Sequence, residues 1–364
     1  MSENTMAKEC YTKRGNCYFA AANGGVGFIS YFDRVFDNAD FDRIYILKGG
    51  PGTGKSSLMK KAAALSIKHG HSTESILCSS DPESLDGIII NKNGRRIAII
   101  DGTAPHVREA KSPGAVDEIV NLGDSWDPDK LRSVRHEIEE LQRKKQIAYT
   151  TAYSILHSAY TYQLRKRSLL EDCIDREKLK KTILRLLPQK SVNIKHPKPG
   201  YKLKNAISVH GPCSCEIYEE NADSTISVYG SHGGSFAVLR EILNVSNANN
   251  LKLTLSPSPL DTNTIDAISL DDYNVCFIDT SKDRSCIKGK AINSERFLYQ
   301  NKLREIKPEL RLLSRLYEDS MKAAYKVLAS AKEYHFALED IYIKAMDFKK
   351  KEKIEELLFE RIFD

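Results

Sequence analysis

The stretch Ile44-Tyr45-Ile46-Leu47-Lys48-Gly49-Gly50-Pro51-Gly52-Thr53-Gly54-Lys55-Ser56-Ser57 decides how this chain is read. Four apolar residues, three of them β-branched or aromatic, describe a short buried strand. Gly49 to Ser56 then fits GxxxxGK[ST], in which glycines let successive backbone N–H groups curl around a phosphate chain with no Cβ in the way. Lys55 would place its ammonium on the β- and γ-phosphates and Ser56 would ligate Mg²⁺. The helix that starts there adds the positive end of its dipole. The residues expected to bind are therefore Gly49, Gly50, Pro51, Gly52, Thr53, Gly54, Lys55, Ser56 and Ser57. Leu58, Met59, Ala62, Ala63, Leu65 and Ile67 make the helix amphipathic.

A loop of this kind needs a second carboxylate near the metal, at the end of a neighbouring strand. Arg96-Ile97-Ala98-Ile99-Ile100-Asp101 supplies one, four apolar residues running into an acid, so Asp101 is the expected partner of Ser56 at Mg²⁺. The competing reading has Asp101 capping the turn that Gly102 and Pro105 announce. An earlier strand over 75–79 ends in Ser80-Asp81-Pro82-Glu83, so Asp81 or Glu83 could orient an attacking water; Asp81-Pro82 reads equally well as a helix cap. His106 could reach a γ-phosphate or serve only local hydrogen bonding. The guanine-reading NKxD string is absent, its nearest match being Asn91-Lys92-Asn93-Gly94, and no LSGGQ string occurs. ATP is the expected nucleotide, and a transporter ATPase is disfavoured.

The chain contains its own echo. Ser224 to Leu239 reads STISVYGSHGGSFAVL, and at an offset of 180 Gly230 falls on Gly50, Gly234 on Gly54, Asp261 on Asp81 and Asp266 on Asp86. Val275 to Asp279 (VCFID) overlies Ile97 to Asp101 at 279 − 101 = 178, and AISVHG from Ala206 resembles the AAANGG stretch near Ala20. Ala152 to Tyr162 matches Ala324 to Tyr334 with six identities in eleven. What differs is the chemistry: Lys55 aligns with Ser235 and Ser56 with Phe236, which removes the cation and the metal ligand. The second copy reads as a fold that lost its nucleotide.

Each α/β block precedes a long helical segment. Leu131, Val134, Ile138, Leu141, Ala148, Ala152, Ile155, Ala159 and Tyr162 keep a 3-4 apolar spacing interrupted by Lys145; Leu310, Leu313, Tyr317, Ala324, Val327, Ala331, Tyr334, Leu338 and Ile341 hold the same register. These seams predict helices packed in antiparallel hairpins or against each other. A Pro- and Lys-containing linker, Gln189 to Lys202, separates the copies. The expected organisation is an intact loop-bearing α/β domain over 1–125, a helical arm over 126–188, a linker over 189–203, a degenerate α/β domain over 204–290 and a second arm over 291–364.

Of the 364 residues, 41% are apolar and 29% charged, which excludes disordered and collagen-like chains. No apolar run reaches membrane-span length, and MSENTMAKEC lacks a secretory layout, so the expectation is a cytosolic protein with no membrane contact. Eight cysteines, at 10, 17, 78, 173, 213, 215, 276 and 286, form no CxxC pair and are read as reduced structural thiols. The net charge of +6 is concentrated: 129–204 holds 19 Lys or Arg against 8 Asp or Glu, whereas 291–364 holds 15 against 14. Arg143-Lys144-Lys145 and Arg165-Lys166-Arg167 could therefore meet nucleic acid or an acidic partner, or could be ordinary solvated helix faces. Oligomerisation is left open.

KGGPGTGKSSLMKK, CSSDPESLDG, and IAIIDGTAPH followed by PGAVDEIVNLGD resemble a family of bacterial cytosolic P-loop ATPases built from tandem halves, and the likeness covers most of the chain. The resemblance implies ATP binding and hydrolysis, beside the residues' own expectation of an α/β fold of duplicated P-loop-like parallel-sheet domains, each followed by a helical arm, with Mg²⁺ at Ser56 and Asp101. In such proteins the second half can keep a GPGTGKS loop, so Ser235 and Phe236 depart from the pattern. Two other functions stay open: a small-molecule or nucleotide kinase with its acceptor near Asp81 and His106, and a nucleic-acid-associated NTPase using the basic arm.

Overall fold

The computed structural model describes residues 16–188, 197–281, 287 and 289–363, so Cys10, Cys286 and linker positions 189–196 lie outside the described residues. The first half contributes β1 (Cys17–Phe19), β2 (Ala21–Gly24), β3 (Gly27–Ser30), α1 (Phe32–Val35), β4 (Arg43–Lys48), α2 (Lys55–Lys68), β5 (Ser72–Leu77), β6 (Leu85–Lys92), β7 (Arg95–Asp101) and β8 (Asp117–Asn121). Its arm follows as α3 (Pro128–Ser133), α4 (Arg135–Glu171) and α5 (Arg176–Leu186). The second half contributes β9 (Gly200–Tyr201), β10 (Asn205–Ser208), β11 (Gly211–Ser214), α6 (Ile217–Glu220), β12 (Ser224–Tyr229), α7 (Ser235–Ala248), β13 (Leu253–Pro257), β14 (Ile265–Leu270), β15 (Val275–Asp279) and β16 (Lys290–Asn293). Its arm is α8 (Gln300–Lys344) and α9 (Phe348–Phe363).

Each half forms one six-stranded sheet and one two-stranded hairpin. The sheets run β1-β5-β6-β7-β4-β8 and, from the same edge, β9-β13-β14-β15-β12-β16, which is one topology written twice. Gly200 and Tyr201, at the end of the sequence-read linker, are the edge strand that completes the second sheet. The expectation of parallel sheets needs correcting at one strand per half, because β6 and β14 run antiparallel to both neighbours. The cause is local in the first half. Asn93 (φ 50°) and Gly94 (φ 80°) turn β6 into β7, and Asn-Gly is the preferred pair where both central residues need positive φ.

Strand alternation sends side chains to two cores. Tyr45, Leu47, Ile97 and Ile99 face α2, where Leu58, Met59, Ala62 and Ala63 cover them. Ile44, Ile46, Ala98 and Ile100 face the other way and share a core with Ala267, Cys276 and Ile278 of the second half. The duplicated sheets thus bury their inner faces together.

The arms cross over. Leu170, Cys173, Ile174, Leu179 and Ile183 of the first arm join the core of the second sheet and α7, whereas Leu358 and Ile362 of α9 join the core beneath α2. Between them α4 and α8 pack along a seam of small residues and leucines, with Ala152, Leu156 and Ala159 against Met321, Ala324 and Leu328. Arg165 of α4 meets Glu309 near the start of α8 at 2.9 Å, so the pair is antiparallel. Matching bridges close both ends, Trp126 to Met346 and Ile174 to Leu298. Since 298 − 126 and 346 − 174 both equal 172, the bridges are equivalent under the same pseudo-two-fold relation. Among the described residues no helix is long and apolar enough to cross a membrane.

Candidate functional site at the first-half loop

The strand register places the chemistry. Leu47 pairs with Asp101 across β4 and β7, so Asp101 ends its strand beside the start of the glycine loop. The Lys55 ammonium donates to the carbonyls of Gly49 (2.7 Å) and Gly50 (3.0 Å) and lies 3.6 Å from Asp101 Oδ2. Asp101 caps the turn, as the competing reading of the sequence has it: Oδ1 accepts from the backbone and hydroxyl of Thr103 at 2.8 and 2.6 Å, while Oδ2 faces the lysine. Thr53 is buried and bonds the Gly50 carbonyl at 2.9 Å. Ser56 Oγ accepts from Leu85 N–H at 3.0 Å, and Ser57 points to solvent.

The loop is held from outside by the other half's arm. Gly52 has φ 71° and Gly54 φ 78°, a region that penalises any Cβ. A Cβ at Gly52 would sit 2.8 Å from the Glu339 carbonyl oxygen, and one at Gly54 would sit 2.8 Å from Lys351 Cε. Trp126 lies against Gly50 and packs on Tyr342 with ring centroids 5.1 Å apart. Burial holds the Glu339 carboxyl pKa above the ordinary carboxylate value, against the opposing pull of the nearby Gly52 N–H and the Lys55 charge. Burial, reinforced by the Lys145, Lys55 and Lys332 charges, lowers the His335 imidazole to about 4. Lys332 lies 3.2 Å from Asp81 Oδ1 and 2.8 Å from His210 Nε2.

Asp81 therefore faces the site through a lysine of the second arm, whereas the Glu83 side chain is exposed. His106 is buried: its Nε2 lies 2.9 Å from Asp86, and its ring stacks on Phe32 with centroids 4.5 Å apart. Burial opposes its charge, yet the Asp86 carboxylate holds its pKa above the ordinary imidazole value. Lys332, His335 and Glu339 are not marked as site residues by the sequence. Their only signal is polar residues interleaved with the apolar seam of α8.

The second loop differs in length as well as in residue type. Gly102 N–H bonds Leu47 O at 3.0 Å and Thr280 N–H bonds Val228 O at 2.9 Å, so Leu47 corresponds to Val228 at an offset of 181. The following helices begin at Lys55 and Ser235, an offset of 180. One loop residue has been lost, and Gly234 takes φ −76° where Gly54 has 78°. Ser235 Oγ donates to Asp279 Oδ2 at 2.9 Å, and Phe236 packs against the hydrophobic core. Ser231 N–H donates to Glu295 Oε1 at 2.6 Å. Lys252 is exposed and does not line the cavity at this loop.

The basic triplets of the first arm are partly answered by acids. Arg143 and Lys144 meet Glu140 at 2.8 and 3.5 Å, Arg165 meets Glu309 at 2.9 Å, and Arg167 pairs with Asp261. Burial lowers the pKa of Lys145 and Lys166. Compared with known proteins, the chain matches no family model, no curated protein and no solved structure.

Proposed function

We propose that the first half binds ATP with Mg²⁺ and hydrolyses it, and that the second half is a degenerate copy without a magnesium-nucleotide site. The observation that carries this reading is Lys55, anchored at the head of α2 on the Gly49 and Gly50 carbonyls and 3.6 Å from the strand-end carboxylate of Asp101. The glycines support the reading: a Cβ at Gly52 or Gly54 would collide with the arm that closes over the loop, so only bare backbone fits there. Ser56 would hold Mg²⁺ directly and Asp101 through water, since the ion in such sites takes one or two protein oxygens and completes its shell with phosphate and water. When bound, the ion would neutralise charge that develops on the phosphoryl oxygens.

Within this reading Lys55 offsets triphosphate charge, and backbone N–H groups of the loop donate to the phosphate oxygens. Asp81, tethered to Lys332, is the carboxylate assigned to orient water. The backbone of α8 at Glu339 packs close over Gly52, which ties nucleotide entry to the position of α8. A kinase reading loses support because His106 is engaged with Asp86 in the core. The test is phosphate release from ATP and Mg²⁺ with no acceptor added. Release that vanishes in Lys55→Ala supports hydrolysis; no release from the natural protein, or release unchanged by the substitution, refutes it.

A further inference from the structure

The second half lost the loop lysine, yet its site is not closed. A cavity of about 660 Å³ lies against the shortened loop, walled by the end of α4 and the start of α8. This is within the roughly 300–1,000 Å³ of small-molecule sites, and it sits at the C-terminal edge of the sheet, where α/β folds bind ligands. Lys166, Lys307, Arg311 and Arg315 line it, with Phe236 and Leu310 as apolar wall. Lys307, Arg311 and Arg315 recur every four residues, so they form one stripe on α8. Among the described residues none of these three has a carboxylate within ion-pair distance.

The duplication supplies an internal control. At the arm offset of 172, Lys307, Arg311 and Arg315 correspond to Arg135, Glu139 and Arg143. In the first half that stripe is neutralised, Arg135 meeting Glu139 at 2.6 Å and Arg143 meeting Glu140 at 2.8 Å. On the opposite wall Lys166 corresponds to Leu338 and Arg167 to Glu339. The second site thus exchanged one loop cation for three arm cations, Lys166, Arg167 and Arg311, at positions where the first site carries leucine or glutamate. The cavity's acids are mostly engaged: Asp261 holds Arg167, Asp266 accepts from Asn205 at 2.7 Å, and Asp279 accepts from Ser235 and Ser281. Glu318 faces Lys166.

We propose that this cavity binds a small phosphorylated molecule without magnesium, through Lys166, Lys307, Arg311 and Arg315. Guanidinium and ammonium groups converging from two helices suit phosphate oxygens directly. No metal ligand is needed, which is consistent with Phe236 standing where the first loop has Ser56. A nucleic-acid strand is disfavoured because its track along the arm would cross Arg143 and Arg165, both held by glutamates.

The test titrates inorganic pyrophosphate, with EDTA present, into the Lys55→Ala chain, so that the first loop does not contribute. One binding site is expected, and adding Arg311→Glu and Arg315→Glu should weaken it at least about tenfold, as expected for losing charge-assisted contacts. In the natural chain the same pair should lower the count from two pyrophosphates to one while leaving magnesium–ATP binding intact, which verifies the fold. If the first-half ATP reading were itself mistaken, the natural and Lys55→Ala chains would bind pyrophosphate alike, and the Arg311/Arg315 effect would still be seen. Absence of pyrophosphate binding, or binding unaffected by the pair, overturns the proposal. So does binding of short single-stranded DNA in place of pyrophosphate, which would assign the stripe to nucleic acid.

Discussion

Glu295 stands in the second half where Gly123 stands in the first. Asn121 and Asn293 end the equivalent strands β8 and β16, and each side-chain oxygen accepts at 3.0 Å from the backbone N–H two residues on, at Gly123 and Glu295 respectively. The glycine presents no side chain to the first loop, whereas the Glu295 carboxylate takes Ser231 N–H and holds His232 Nδ1 at 3.0 Å. A loop N–H of the second half is thereby satisfied from within. We predict one magnesium–ATP per chain. Losing the lysine and the serine costs roughly 1.5–3 kcal/mol each if each contact is charge-assisted, about one to two decades of affinity apiece. Calorimetry at saturation checks this: two nucleotides per chain, one persisting in Lys55→Ala, would show that the second loop works. Glu295→Gly alone should not restore the second site, because Ser235 and Phe236 remain.

Asp101→Asn separates the metal role from the turn. The amide keeps an oxygen for Thr103 N–H and nearly the same volume, but removes the charge facing Lys55 and any Mg²⁺. The Mg²⁺ concentration for half-maximal hydrolysis should rise roughly 10–100-fold, the usual cost of losing an outer-sphere partner, while the unfolding midpoint changes little. An unchanged Mg²⁺ titration would leave Asp101 as a turn residue only.

Much of the fold is legible in the sequence because the signals are local. GGPGTGKSS marks the loop, IAIID the strand beside it, and the repeated AY…L.SA…Y helices the duplication. The antiparallel strand is equally written in Asn93-Gly94, but the same string is the nearest match to a base-reading motif, and that comparison hides the turn. The lost loop residue is concealed because glycine-on-glycine matching forces an offset of 180, whereas the strand hydrogen bonds require 181. The crossing of the arms has no sequence signal, since a 3-4 apolar seam states that a helix is covered and not by which half. Glu339, His335 and Lys332 are unreadable for the same reason, being brought to the loop by α8 from about 280 residues away.

Gly52→Ala and Gly114→Ala form a matched pair. Both glycines have positive φ, 71° and 74°, but a Cβ at Gly114 meets nothing within 4 Å whereas one at Gly52 reaches the Glu339 backbone oxygen at 2.8 Å. The shared conformational penalty is about 1–2 kcal/mol. Gly52→Ala should exceed Gly114→Ala in destabilisation because a helix backbone, and not a flexible side-chain tip, must move. It should also weaken ATP binding, which Gly114→Ala should not. Equal losses in denaturant unfolding would mean that the arm yields freely and does not clamp the loop.

His335 predicts the acid limb of stability. It faces Lys55 on α2, Lys145 on α4, Lys332 and Glu339 on α8, and Asp81 in the loop after β5; burial and the three lysines outweigh the acids and lower its pKa to about 4. The unfolded chain takes up this proton near 6.5, so between about 6.5 and 4 the unfolded state binds more protons than the folded one. Stability from the neutral ring is then present in full above 6.5 and is lost as pH falls through that window. His335→Gln removes the titration, so its unfolding free energy should decline less steeply than that of the natural protein from pH 6.5 to 4, with parallel curves above. With ATP bound at the loop as proposed, negative charge would stand beside Lys55 and should narrow the difference. Parallel curves throughout the acid range would show that the ring is already protonated at the ordinary pH, and that the lysines around the loop do not act on it.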